Sequence, residues 1–200
     1  MKRKYFVLII ILAIFVVDQI IKIVVKTNMY LYETIDVTSW MKIHFIENSG
    51  MAWGMTFIPQ IVQNIFRIVA IGFLSVYLVR IVRRKLKYGY IACWALVFAG
   101  ALGNVIDNIF YGRIFSQSTP TSLAVLFPGG GGYGEWFHGK VVDMFYFPLF
   151  EFRWPDWMPW VGGDNFVFFN AIFNFADAAI SCGAIALLLF YRHYFISKHD

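Results

Sequence analysis

Residues 88–111 read YGYIACWALVFAGALGNVIDNIFY. The run is long enough to cross a bilayer, for which about 20 apolar residues suffice. Yet Asn104, Asp107 and Asn108 crowd toward one of its ends. A carboxylate in hydrocarbon costs roughly 2.5–3.5 kcal/mol on insertion scales, so Asp107 requires a partner or a task. Gly100-Ala101-Leu102-Gly103 just before it is a small-residue face that lets a neighbouring helix approach closely. Such a face builds a site around Asn104 and Asp107 rather than doing chemistry itself.

Working outward, two further apolar segments repeat the pattern, with Asp18 in 5–25 and Asp177 in 165–191. A fourth segment, 61–82, carries a polar stripe instead: Gln60, Gln63, Asn64 and Arg67 recur at helical spacing. The chain has 200 residues, 60% hydrophobic and only 14% charged, with a mean hydropathy of +0.63. Soluble domains carry more charge, so these values point to a polytopic membrane protein. The net charge of +5 sits at segment ends, at Lys2, Arg3 and Lys4, at Arg80, Arg83, Arg84, Lys85 and Lys87, and at Arg192 and Lys198. That is the positive-inside pattern, placing both termini in the cytoplasm, and it makes nucleic acid an unsuitable partner.

The fold class expected is an all-α membrane protein. It is a four-transmembrane-helix bundle with a small extracytoplasmic β element and an aromatic-rich extracytoplasmic segment. The spans are placed at about 5–25, 61–82, 88–111 and 165–191 within one domain, 1–200, with 27–60 and 112–163 extracytoplasmic. Residues 40–46 alternate loosely and suit a strand. The segment 112–163 holds the glycine run 129–132 and aromatics of the kind that settle at headgroup level, including Trp136, Trp154, Trp157 and Trp160.

Depth follows from a rise of ~1.5 Å per helical residue. Asp18 lies ~21 Å above Lys4, Asp107 ~28 Å above Tyr88, and Asp177 ~22 Å above Arg192, all in the outer third of the hydrocarbon. Asn104 and Asn174 each precede an acid by three residues, which places amide and carboxylate on one helix face. Arg67, level with the acids, reads either as a snorkelling side chain or as a counter-ion for one carboxylate. Asp18 and Lys22 are spaced i, i+4 with the acid first, a structural clasp.

Asp143, in Val141-Val142-Asp143-Met144-Phe145, is an acid among apolar neighbours, where desolvation raises a carboxyl pKa. Brought near Asp177, the two cannot easily both ionise, and a shared proton leaves one acid and one base. That pairing activates water against an amide. The segment 47–54 is either a tight turn or a substrate-contacting loop. No HExxH or GxSxG motif exists, the four His are scattered, and the glycine run lacks the Lys-Ser/Thr of a phosphate loop. No metal and no cofactor is expected.

Taken in order, Asp18-Gln19 with Lys22, Asn48-Ser49-Gly50-Met51-Ala52-Trp53-Gly54, Gly103-Asn104-x-x-Asp107, Val141-Val142-Asp143 and Phe173-Asn174-x-Ala176-Asp177 resemble the lipoprotein signal peptidases, the signal peptidase II family. The resemblance implies a four-span aspartic peptidase of the bacterial inner membrane, working near the outer face, and a monomer is expected. Its partners would be membrane lipids and lipid-modified prolipoprotein signal peptides, cut just before the diacylglyceryl-modified Cys. Asp143 and Asp177 would be the catalytic pair, with Asn104, Asp107 and Asn174 shaping the site and Asn48 and Gly54 in a substrate-facing loop. Two positions depart from the family. Asn108 stands where the family has Arg, leaving Arg113, with Arg67 as second choice, to supply a cation. Asp107 and Asp143 are 36 positions apart, so an insertion containing Pro128 and the glycine run adjoins the site as a lid, a lipid-surface element or an elaboration. The competing class is a proton-coupled transporter or scaffold using the acids as a relay, although no internal repeat is visible. A presenilin-type peptidase would need Gly-x-Gly-Asp, which is absent.

Overall fold

The computed structural model describes residues 2–49 and 59–196. Three helices, α1 (Arg3–Asn28), α2 (Gln60–Arg83) and α3 (Tyr88–Ile114), are long and apolar enough to cross a membrane. At 24 to 27 residues each, they reach ~36–40 Å, more than the ~30 Å of a hydrocarbon core. Their outward residues are large and apolar, among them Leu8, Leu12 and Ile20 on α1 and Phe66, Phe73 and Val76 on α2. In a soluble protein this would be a serious liability; facing lipid tails it costs little.

The expected fourth span, 165–191, is divided between strands and a helix. Its first part forms strands β5 (Asn165–Phe168) and β6 (Ile172–Phe173), and only α4 (Phe175–Phe190) is helical, followed by the short α5 (His193–Ile196). At 16 residues α4 extends ~24 Å, shorter than a full crossing. The physical reason is a capping box. The Asn174 side chain accepts from the Asp177 backbone N–H at 2.9 Å, and the Asp177 carboxylate accepts from the Asn174 N–H at 3.3 Å. Reciprocal capping fixes a helix start at Asn174 and prevents the helix from extending backward. Asn174 is therefore the N-cap of α4 rather than a residue on the same helix face as Asp177.

The β elements gather beyond one end of the helices. Strands β1 (Thr34–Asp36), β2 (Lys42–Asn48), β3 (Val141–Tyr146) and β6 make an antiparallel sheet in the order β1-β2-β3-β6, with a register shift between Ile43 and Ile46. This places Ile46 opposite Asp143 and Asn48 opposite Val141. A separate two-stranded ribbon pairs β4 (Phe150–Arg153) with β5. Its aromatics, Phe150 stacked on Phe168 and Phe152 beside Phe166, share one face.

The insertion 115–140 is built into the fold. It runs back along the end of α3, where Gly112 and Ile114 are among the last four carbonyls, which lack intrahelical donors. Backbone N–H groups of Gly139, Phe137, Gly134 and Phe127 donate to the carbonyls of Asn108, Ile109, Gly112 and Ile114 at 2.7–3.2 Å. Phe115 and Ala124 are buried with Phe45, Tyr111, Val142 and Met144 in a core under the sheet. Gly132 and Gly139 permit this approach, since a Cβ on Gly139 would lie 2.0 Å from the Asp107 carbonyl oxygen. From the other side the polar stripe of α2 grips the same segment. Gln60 Nε2 donates to the Gly139 carbonyl at 2.7 Å and Asn64 Nδ2 to the Phe137 carbonyl at 2.6 Å.

Candidate active site

The glycine face of α3 sets the geometry of everything above it. A Cβ on Gly100 would meet the Ala176 carbonyl oxygen at 2.3 Å, and one on Gly103 would meet Asp18 Oδ2 at 2.7 Å. With only hydrogen there, α3 lies against the first turn of α4 and against α1. One turn further along, Asn104 and Asp107 are delivered to the junction of three helices.

Asp18, Lys22 and Asp107 are each about 1% exposed or less. Lys22 Nζ sits 2.9 Å from Asp18 and 2.7 Å from Asp107, and donates to Asn104 Oδ1 at 2.8 Å. The expected Asp18–Lys22 clasp is thus one arm of a triad that ties α1 to α3. Asp18 Oδ1 also accepts the backbone N–H of Ala176 at 2.9 Å, at the end of α4 whose dipole attracts negative charge. Gln19 links Asp107 (2.8 Å) with the Tyr111 hydroxyl (3.1 Å). Every carboxylate here has a cation or an N–H, as buried charges require.

The two remaining acids meet on the open side of this scaffold. Asp143, 3% exposed on β3, accepts from Asn174 Nδ2 at 2.7 Å and from Asn48 Nδ2 at 3.3 Å. Asp177, in the first turn of α4, accepts from Asn104 Nδ2 at 2.8 Å. Asn104 Oδ1 in turn accepts from Asn174 Nδ2 at 3.2 Å, so the two carboxylates belong to one amide-linked chain. Both line a cavity of 170 Å³ together with Asn48, Arg67, Asn104, Asn108 and Val141. Burial, and then the charge of Asp177, push the Asp143 carboxyl up to about 7.

Of the sequence-predicted site residues, Asn48, Asn104, Asp143 and Asp177 line the cavity, while Asn174 and Asp107 support it from behind. Gly54 lies outside the described residues. Arg113 is not at the site. It is 44% exposed at the end of α3, paired with Glu135 at 3.4 Å and lying over Trp136. Among the described residues the cation lining the cavity is Arg67, which donates to Asn64 Oδ1 at 3.0 Å. Asn108 also faces the cavity and donates to its own helix at the Asn104 carbonyl, 2.7 Å away.

Sequence reasoning missed a second buried charge cluster. Lys26 pairs with Glu47, Ser118 donates to Glu47 at 2.8 Å, and Lys140 reaches it at 3.3 Å. Burial works against the Glu47 charge, but Lys26, with Ser118 and Lys140, holds its pKa below the ordinary value. The cluster ties α1 and the insertion to β2, whose next residue is Asn48. Nothing in the spacing of these residues signals it, because they are scattered from 26 to 140.

Three membrane-length apolar helices, with two carboxylates lining one cavity, describe a multi-pass membrane protein with a candidate active site. The family model "Signal peptidase (SPase) II" matches residues 10–193. The chain belongs to the signal peptidase II family and so to a family of peptidases. It is 52% identical over 182 residues to a lipoprotein signal peptidase of Porphyromonas gingivalis, covering 90% of this chain and 80% of that protein. A lipoprotein signal peptidase of Amoebophilus asiaticus is 33% identical over 181 residues, covering 87% and 72%. A solved structure described as a bacterial membrane enzyme shares the fold, with a TM-score of 0.61 at 21% identity over 97% of this chain and 92% of that one. These likenesses do not favour the transporter or scaffold reading.

Proposed function

We propose that this protein removes the signal peptide from diacylglyceryl-modified prolipoproteins, cutting before the lipidated Cys, with Asp143 and Asp177 as an aspartic catalytic pair. The observation that carries the reading is two carboxylates from separate elements, β3 and α4, lining one 170 Å³ cavity while amide donors hold each in place.

The proton of the pair is assigned to Asp143, the more deeply buried acid, whose carboxyl is pushed up to about 7 by burial and then by the Asp177 charge. Asp177 takes the base role. It accepts N–H groups from Asn104 and Asn174 at the start of α4, where a helix dipole favours negative charge. Asp177 removes a proton from a water held between the two, and the hydroxide attacks the scissile carbonyl carbon as Asp143 protonates the carbonyl oxygen. The tetrahedral intermediate collapses when Asp177 passes its proton to the amide nitrogen. The C–N bond breaks, and Asp143 recovers its proton from the hydroxyl. No step needs a metal or an organic cofactor.

Arg67 and Asn108 line the cavity wall and would contact the peptide backbone beside the scissile bond. The chain is read as a single peptidase domain, 1–200, in the bacterial inner membrane. Four helices, α4 included, anchor it as a monomer, with both termini cytoplasmic and the cavity near the outer face. The basic ends of α1 to α3 and the acids at the opposite end support that orientation. A substrate that keeps its acyl chains in the outer leaflet presents its scissile amide at this depth.

The test is incubation of purified protein with a precursor peptide in two forms, diacylglyceryl-modified and unmodified at Cys, read by mass spectrometry. Cleavage directly before Cys in the modified form alone is expected. Equal cleavage of both forms, or of neither, would remove the lipid-dependent peptidase reading.

A further inference from the structure

At the end of the bundle opposite the acids, α1 and α2 each lie closer to α3 than to one another, although Val7, Leu78 and Ile81 share one buried core. The gap between them is a 480 Å³ groove lined by Val7 and Ile11 of α1, Leu78 and Val79 of α2, and Phe98 of α3 as its floor. The groove opens into a 640 Å³ recess bordered by Lys2, Arg3, Lys4, Arg83 and Lys85, and the two share Lys4, Val82 and Arg83 as a common rim. Among the described residues no carboxylate pairs with any of these five cations, and the eleven described acids all lie at or beyond Asp18 toward the other end. Helices α1 and α3 both start here with no acidic residue in their first turns, so two positive dipole ends add to the field.

We infer that this end holds one anionic phospholipid, its phosphate among Lys2, Arg3, Lys4, Arg83 and Lys85 and an acyl chain in the groove between α1 and α2. Five like charges around one recess repel each other and need a counter-charge. The groove runs on from that recess ~10 Å along α1, from Lys4 to Ile11, and is walled by hydrocarbon. Phosphate above and acyl chain below match the two halves of a single lipid, and basic recesses between spanning helices recognise such headgroups. A signal-peptide helix is the wrong occupant, because it begins with positive residues that this recess would repel. Arg3 is already oriented for the role, with its guanidinium over the Tyr88 ring at 4.5 Å and Nε bound to the Leu86 carbonyl. The inference is independent of catalysis.

Native mass spectrometry of the full-length protein, incubated with phosphatidylglycerol or with phosphatidylcholine of identical chains, tests it. One phosphatidylglycerol is expected to stay bound under activation that strips phosphatidylcholine. The Lys4→Gln/Arg83→Gln/Lys85→Gln variant should bind it about 100-fold more weakly. Val79→Trp, which fills the groove from a half-exposed position, should weaken it too, whereas Arg153→Gln on the distant ribbon should not. Equal retention of both lipids, an unchanged triple variant of unaltered melting temperature, displacement by inorganic phosphate alone, or competition by a signal-peptide helix would each overturn the proposal.

Discussion

Gly100→Ala is the sharpest test of how the fold positions the site. The added methyl would lie 2.3 Å from the Ala176 carbonyl oxygen and 2.8 Å from Ile180 Cγ1, both on α4. The first of these is backbone and cannot rotate away. Restoring ordinary contact at 3.4 Å requires α3 and α4 to part by about 1 Å, since repulsion rises steeply inside that distance. Asn104 lies one turn from Gly100, and its 2.8 Å bond to Asp177 would stretch beyond hydrogen-bonding range. Overpacking of this kind costs about 1–3 kcal/mol, which a folded bundle survives. A displacement of about 1 Å at reacting groups costs about 100-fold in rate. The assay is kcat and KM on a fluorogenic lipopeptide, with melting temperature measured in the same detergent. A protein that melts somewhat lower, with kcat down about 100-fold, is expected. Gly72→Ala on α2 is the control, since a Cβ there meets nothing within 4 Å. A Gly100→Ala enzyme with wild-type kcat would refute the claim that close approach of α3 to α4 aligns the acids.

The same geometry carries further expected outcomes. The cleavage rate should fall as pH rises through about 7, because Asp143, pushed up to about 7 by burial and by Asp177, then loses the proton that the proposed mechanism draws on. In Asp177→Asn the like charge is gone, and the Asp143 titration followed by infrared difference spectroscopy should move to lower pH; an unmoved titration would contradict the coupling. Lys22→Met leaves Asp18 and Asp107 buried without their cation, which costs about 3–5 kcal/mol. The melting temperature should drop sharply and recover in part when Asp18→Asn and Asp107→Asn are added. Arg67→Gln should lower kcat/KM roughly 10-fold or more, the scale of a hydrogen bond to a charged group. Arg113→Gln, whose partner Glu135 is exposed, should stay near wild type in both rate and stability.

Spans α1 to α3 were legible in the sequence because each is a long, predominantly apolar run, and the observed ends lie within three residues of those expected. The fourth segment was misjudged because apolar content alone cannot separate a helix from aromatic strands. Residues 165–173 are as apolar as a span, yet they pair as β5 and β6. The corrective signal was present at Asn174-x-x-Asp177, whose spacing is that of a capping box and marks a helix start. Two residues on one helix face have the same spacing, so spacing alone does not separate the two cases. The β4–β5 ribbon was equally legible in principle, since Phe150 and Phe152 alternate with Glu151 and Arg153.

The site acids stood out because a carboxylate amid apolar residues is conspicuous. The contacts that hold them did not. The Asp18 bond to the N–H of Ala176 spans 158 positions, and the Lys26–Glu47–Ser118 cluster joins α1, β2 and the insertion. Long-range pairs of this sort leave no local periodicity. The two arginines show the same difficulty. Arg113 is close to Asn108 in sequence, but the end of α3 turns that side chain outward to Glu135. Arg67 reaches the cavity from a different helix.

The most direct measurement is single-turnover cleavage of a diacylglyceryl-modified precursor by purified Asp143→Asn and Asp177→Asn proteins, each first shown to be folded. Each variant should leave the precursor intact for at least about 1,000 times the wild-type half-life, the scale expected when a general acid or base is lost. Cleavage by either folded variant at a rate close to wild type would contradict the paired-carboxylate mechanism.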